Sequence, residues 1–219
     1  MSEALEIGKY YDDRYFAWQK DPGRFGGQAE LWKFQPSIEP GDRVVDFGCG
    51  GGYVLANLVC AERLGIEINA TARAQCERLG IRAVGAVADV PDGWADVVIS
   101  NHALEHVPNP LDVLLQLRRK LRPGGTLVLV APCESVGTAY RPGNQDYHLF
   151  TWSPMNLGNL VHSAGYEVVE ALPLFHRWMP RPQFVQRVIG WKLFHLGCRV
   201  YGLLFRRLSQ VRVIALSPA

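Results

Sequence analysis

A doubly wound α/β fold on a mostly parallel sheet is what the sequence predicts, and three observations carry that expectation. The apolar run Arg43–Phe47 passes at once into Gly48, Gly50, Gly51 and Gly52, then into a helix-like stretch through Leu55, Ala56 and Leu58. Further strand-like segments at 64–68, 83–87, 96–100 and 126–130 alternate with helical patterns, the order that folds into parallel strands covered by helices. Glu67 closes the second segment, 21 positions beyond Asp46, so both acids are expected at one end of the sheet.

The 219 residues suit one domain with one sizeable core, and the 48% apolar and 20% charged content is that of a globular protein. Residues 1–38, rich in aromatics, read as one or two short helices capping a main unit over 39–219, with Asp21-Pro22-Gly23 as a turn and Gly26-Gly27 as a break. Five scattered cysteines without a C-x-x-C pair argue for reduced thiols and a cytoplasmic setting. No apolar run reaches the roughly 18 residues of a membrane span.

Within the glycine loop, spacing is the informative quantity. A dinucleotide fingerprint G-x-G-x-x-G begun at Gly48 would need glycine where Tyr53 stands, and begun at Gly50 where Leu55 stands, which disfavours a nicotinamide-dependent oxidoreductase. The chain instead reads D-x-G-x-G-x-G over Asp46, Gly48, Gly50 and Gly52. A strand–loop–helix unit of this kind is expected to turn backbone N–H groups toward a ligand. A carboxylate at the tip of the second strand, as at Glu67, can accept from both hydroxyls of a ribose.

Two later stretches extend the pattern: Asp96-Val97-Val98-Ile99-Ser100-Asn101 with Glu105-His106-Val107-Pro108-Asn109-Pro110, and Leu121-Arg122-Pro123-Gly124-Gly125-Thr126-Leu127. Together with the loop and Glu67, they resemble the class I S-adenosylmethionine-dependent methyltransferases over roughly residues 40–170. The resemblance implies a Rossmann-like sheet of seven strands, the last antiparallel and inserted between the fifth and sixth. It implies S-adenosylmethionine as cofactor, held by Asp46, Gly48, Cys49, Gly50, Gly52, Glu67 and Ile68, with Asn101 and His102 from the fourth strand. The family's usual acid after the third strand falls on Ala86 here. Either the nearby Asp89 serves the adenine, or backbone and apolar contact do.

Methyl transfer to a hydroxyl needs a base for its proton, and His106 and His148 are the candidates because histidine titrates near neutrality. His102, Glu105, His106 and His148 also allow a metal site like that of the metal-using small-RNA 2′-O-methyltransferases, although His102 stands where those have an acid; no metal is expected. The expected function is methyl transfer to a hydroxyl of a small molecule or a lipid- or glycan-linked anionic metabolite. The alternatives are a non-catalytic S-adenosylmethionine-binding module and a metal-assisted RNA O-methyltransferase. No known RNA-binding module is visible, so a nucleic-acid partner is not expected.

Charge is distributed unevenly. Residues 171–219 hold eight bases and no acid, whereas all 21 acids lie before them. Within a basic insertion at about 177–209, residues 183–208 read as one helix, with Lys192, Arg199 and Arg206 along a line and Trp191, Phe194, Cys198, Tyr201, Phe205 and Leu208 on another face. Such a helix suits an anionic substrate, peripheral contact with an anionic membrane, or simply packing on the sheet with a solvated edge.

Overall fold

A computed structural model describes residues 13–135, 137, 139–142, 144, 146–205 and 208–218 of the chain. Seven strands form one sheet: β1 (Arg43–Phe47), β2 (Glu62–Ile66), β3 (Arg82–Val84), β4 (Ala95–Asn101), β5 (Leu121–Glu134), β6 (Glu167–Leu174) and β7 (Leu208–Leu216). Their order is β3-β2-β1-β4-β5-β7-β6. β7 runs antiparallel to both neighbours, and the pairs from β3 through β5 are parallel. The seven-stranded, Rossmann-like expectation therefore holds, including the inserted antiparallel strand.

The central strands are buried on both faces, as parallel strands under helices must be. Val45, Val98, Leu127, Leu129 and Val213 join Leu114, Leu117, Leu157 and Val161 on one side. Val44, Val97, Ile99, Val128 and Val130 pack with Phe34, Leu55 and Cys76 on the other. The helices over 53–204 are α2 (Tyr53–Asn57), α3 (Ala70–Arg78), α4 (Pro110–Lys120), α5 (Pro154–Ser163) and α6 (Pro182–Leu204). The five cysteines are free, and no helix of the described residues is long and apolar enough to cross a membrane.

Several boundaries differ from the sequence expectation, each for a local reason. The turn at Asp21-Pro22-Gly23 and the break at Gly26-Gly27 are absent: one helix, α1, spans Asp13–Ala29 through all five residues. Tertiary packing overrides the local signal, since a side chain at Gly27 would strike the Tyr53 backbone, so glycine lets α1 lie directly on α2. The expected helix over 53–63 stops at Asn57, because the Gln35 amide pairs with both backbone groups of Val59 at 2.8 and 3.1 Å and draws the chain out. β2 therefore starts earlier, and Glu67 sits one residue past its end.

The expected helix over 183–208 ends at Leu204 and is bent at Gly190, which has φ 72° and ψ 170°. Leu208 belongs to β7 rather than to that helix. Arg206 lies outside the described residues, as do positions 1–12 of the expected cap.

Candidate functional site

The carboxyl ends of β1, β2 and β4 open into a cavity of about 830 Å³. Register places Asp46 opposite Gly65 and Phe47 opposite Ile66, so Asp46 and Glu67 meet at the same end of the sheet. Both line the cavity, as do Gly48, Cys49, Gly50, Ile68, Asn101, His102 and His106. Gly52, Asp89 and His148 are not among the lining residues. The Asp89 carboxylate instead accepts from the Ala86 N–H at 3.1 Å, while Ala86 and Val87 face the cavity.

The loop's glycines are required by shape. Gly48 has φ +75°, and a Cβ there would collide with Cβ of Ala103; Gly52 has φ +74° and would bring a Cβ to 2.9 Å from the Cys76 sulfur. Most of the loop's N–H groups, however, are paired within the protein. Gly48 and Cys49 donate to the Ile66 carbonyl at 2.9 and 3.2 Å, Gly52 donates to Cys49 O at 3.0 Å, and Gly50 donates to Glu67 Oε2 at 2.9 Å. Four loop donors are thus spent inside the protein. Facing the cavity are carboxylates: burial, then the Glu67 charge, raises the pKa of Asp46 well above the usual carboxylate range. Burial also raises Glu67, against the N–H donors of Asn69 and Gly50 and the charge of Arg73. Two such carboxylates suit a cationic group better than a pyrophosphate, which needs donors.

On the opposite wall, β4 ends in a sharp turn in which His102 takes φ 55°, a strained conformation outside glycine and common at functional sites. The turn buries Glu105 completely, and neither of its carboxylate oxygens meets a hydrogen-bond partner in another described residue. Three imidazoles surround Glu105 Oε1: His102 Nδ1 at 3.6 Å, His106 Nε2 at 3.7 Å and His148 Nε2 at 3.9 Å. Burial raises the Glu105 pKa to about 8 and lowers that of His106 to about 4, so His106 is neutral near neutrality.

His148 reaches this cluster because the N–H groups of Leu149 and Phe150 donate to the Glu105 carbonyl at 2.9 and 3.2 Å. Its Nδ1 is fixed by Glu134 Oε1 at 2.7 Å, from the tip of β5. The rings of His106 and His148 lie 4.9 Å apart. His106 therefore faces the cavity, and His148 stands behind it.

Sequence reasoning missed the third wall. Glu30, at the end of α1, pairs with the buried Lys33, whose ammonium also donates to Asn101 Oδ1 at 3.4 Å. Burial draws the Lys33 pKa down to about 7. Trp178 Nε1 donates to Glu30 Oε1 at 3.0 Å and, with His176 and Arg177, lines the cavity ahead of α6. Only the i,i+3 spacing of Glu30 and Lys33 hinted at the pair; the Trp178 contact crosses 148 positions.

Comparison with known proteins adds four findings. A family model described as a methyltransferase domain matches residues 15–171. An uncharacterized methyltransferase of Mycobacterium sp. (strain KMS) is 34% identical over 128 residues, 51% of this chain and 51% of that protein, so the chain spans about half the relative's length. A ubiquinone biosynthesis O-methyltransferase of Burkholderia thailandensis is 29% identical over 156 residues, 60% of this chain and 67% of that one. In fold, the chain is similar to the crystal structure of a SAM-dependent methyltransferase from Archaeoglobus fulgidus, with a TM-score of 0.66 and 20% identity, covering 93% and 100% of the two chains.

Proposed function

We propose that this chain, which belongs to the class I S-adenosylmethionine-dependent methyltransferase family, transfers a methyl group to a hydroxyl of a small or lipid-linked molecule. The family's cofactor is S-adenosylmethionine. The observation that carries the reading is the charge logic of the cavity: four loop donors spent internally, and the buried Asp46 and half-buried Glu67, both with raised pKa, facing the space. A sulfonium nucleoside, cationic at sulfur and at its α-ammonium, supplies the missing charge.

In this reading Asp46 and the cavity-lining stretch Gly48–Gly51 would hold the amino-acid portion, Glu67 would accept from the ribose hydroxyls, and Ala86 and Val87 would hold the adenine by backbone and apolar contact. Asn101 and His102 close the site beside the reacting methyl. When bound, S-adenosylmethionine supplies a methyl carbon already activated by sulfonium. What remains for the chain is alignment and water exclusion, worth about 7–11 kcal/mol when well arranged. His106 takes the hydroxyl proton as the oxygen gains the methyl group. Glu134 holds His148 in one orientation, and His148 packs against His106.

Titration calorimetry with S-adenosylmethionine tests the cofactor half of the proposal. Asp46→Asn removes the charge but keeps the shape, and should weaken binding about 10–100-fold, the loss of a charged hydrogen bond of ~1.5–3 kcal/mol. Stability should move the other way. The folded pKa of Asp46 is raised, so its stabilising contribution is present below the unfolded carboxylate value and lost as pH rises through the folded one. At neutral pH the ligand-free Asp46→Asn protein should melt above the parent. A variant that binds as well as the parent removes the proposed role of Asp46.

The acceptor half is tested by turnover with a panel of hydroxylated compounds. Cofactor binding with no turnover across the panel would leave the non-catalytic binding module as the better account.

One observation favours a second reading, cation-assisted transfer. Ligand atoms of Glu105, His106 and His148 lie within 4.8 Å of one another, and Glu134 holds the far nitrogen of His148 as an outer carboxylate holds a metal-bound histidine. Metal analysis of the purified protein and turnover after chelation decide it. A bound divalent ion whose removal abolishes turnover supports this reading; full turnover without metal removes it.

A further inference from the structure

The most unusual surface of the molecule is the outer side of α6. After the bend at Gly190, Phe194, Cys198 and Gly202 form its buried side. On the side away from them, Leu193, Leu196, Val200 and Leu203 recur three or four residues apart and are 57%, 58%, 51% and 47% exposed. Before the bend, Phe184 and Val188 are 65% and 66% exposed. Isolated exposed apolar residues are ordinary, but four that share one side of the helix after the bend mark a contact surface.

We propose that this face of α6 docks flat on an anionic lipid surface. The charge pattern selects that occupant. The cations Arg181, Arg187, Lys192 and Arg199 are exposed along the helix, and the segment 171–219 carries no acid to neutralise them. A second copy of the chain packed on the same face would bring like charges together, whereas anionic headgroups meet them with opposite charge while the apolar stems sink between the chains. The helix does not cross the bilayer; it lies in the interface.

Docking is joined to the cavity through short, rigid contacts. The Arg177 N–H donates to the Cys198 carbonyl at 3.1 Å, and the Arg177 guanidinium lies 5.5 Å from the centre of the Tyr201 ring. A Cβ at Gly202 would stand 2.7 Å from the Phe175 backbone, so α6 rests directly on the strand-end segment that carries His176, Arg177 and Trp178 to the cavity wall. Lipid binding itself needs no assumption about methyl transfer. The corollary, that the acceptor is a hydroxyl presented from the membrane, rests on the function proposed above.

Flotation of the full chain with vesicles tests the inference, using phosphatidylcholine alone and phosphatidylcholine mixed with phosphatidylglycerol. The chain should float only with the anionic mixture and should be released by high salt, as surface charge is screened within about 10 Å at 0.1 M. Leu196→Asp and Lys192→Glu should each lower partitioning roughly tenfold, while S-adenosylmethionine binding by calorimetry stays at the parental value and shows the fold intact. Failure of the parent to float, or equal flotation with neutral vesicles, overturns the proposal. A dimer in sedimentation that Leu196→Asp dissociates would also overturn it and assign the face to a second copy. If flotation persists in a chain that binds no S-adenosylmethionine, it is the methyl-transfer reading that falls.

Discussion

Replacing His106 with alanine is expected to lower turnover about 10²–10⁴-fold, the usual worth of a positioned general base, with cofactor affinity unchanged. His106, like His102, is an imidazole of the Glu105 cluster that lines the cavity and is held neutral, and its own pKa is lowered to about 4 chiefly by burial and then by His148. A base with a lowered pKa is available above that value and lost as pH falls through it. The rate should therefore persist well below pH 6.5 and collapse only near 4. The comparison that decides is kcat against KM for His106→Ala across that range. A rate unchanged by the substitution would leave alignment alone as the catalytic device, and a break at 6.5 would mean a solvated base located elsewhere.

The largest effect on stability is expected at Glu30→Ala, a loss of about 3–5 kcal/mol. Removing one member of a buried ion pair strands the other: Lys33 is 1% exposed, Glu30 is its carboxylate partner, and the 3.4 Å contact with Asn101 Oδ1 does not replace that charge. Because a buried pair replaced on both sides by apolar groups is often near neutral, the double variant Glu30→Leu with Lys33→Met should recover most of the loss. Chemical denaturation of the two single variants and the double variant closes the cycle. A Glu30→Ala loss below about 1 kcal/mol would place the pair on the solvated side of the wall, where ion pairs are worth that little. The same substitution also frees Trp178 Nε1, so the wall ahead of α6 should loosen with it.

These two sites differ in how visible they were beforehand. Asp46, the spaced glycines and Glu67 are legible in the sequence because each answers to local chemistry: positive φ at Gly48 and Gly52, and an acid at a strand tip. The parallel α/β class follows from the alternation of strands and helices, and the inserted antiparallel strand from the family resemblance. The direction of the loop's N–H groups was not legible, because their acceptors at Ile66 and Glu67 become neighbours only when β2 pairs with β1. Nor was the unbroken run of α1, since Pro22 and the paired glycines look like breakers of the expected short helices until Tyr53 is placed against Gly27.

The charge count foresaw a basic C-terminal helix, but the exposed strip of Leu193, Leu196, Val200 and Leu203 went unread, since spacing alone does not say which apolar stripe meets the sheet. His106 and His148 could be named from composition and position. Glu134, 14 residues from the histidine it orients, could not, because its role depends on β5 running on to residue 134.

The reversed strand β7 has a consequence for how such a protein can change. β6 ends and β7 begins at the rim where the cavity opens, so the two strands form a hairpin whose tip is the whole of residues 175–207. Beyond its two feet that tip is tied to α1, because the rings of Trp178, Trp191 and Phe194 pack against Phe25 and Trp178 Nε1 donates to Glu30. An exchange of that stretch must therefore supply new partners for Phe25 and Glu30, while β1, β2 and the glycine loop at the far side of the sheet keep their register.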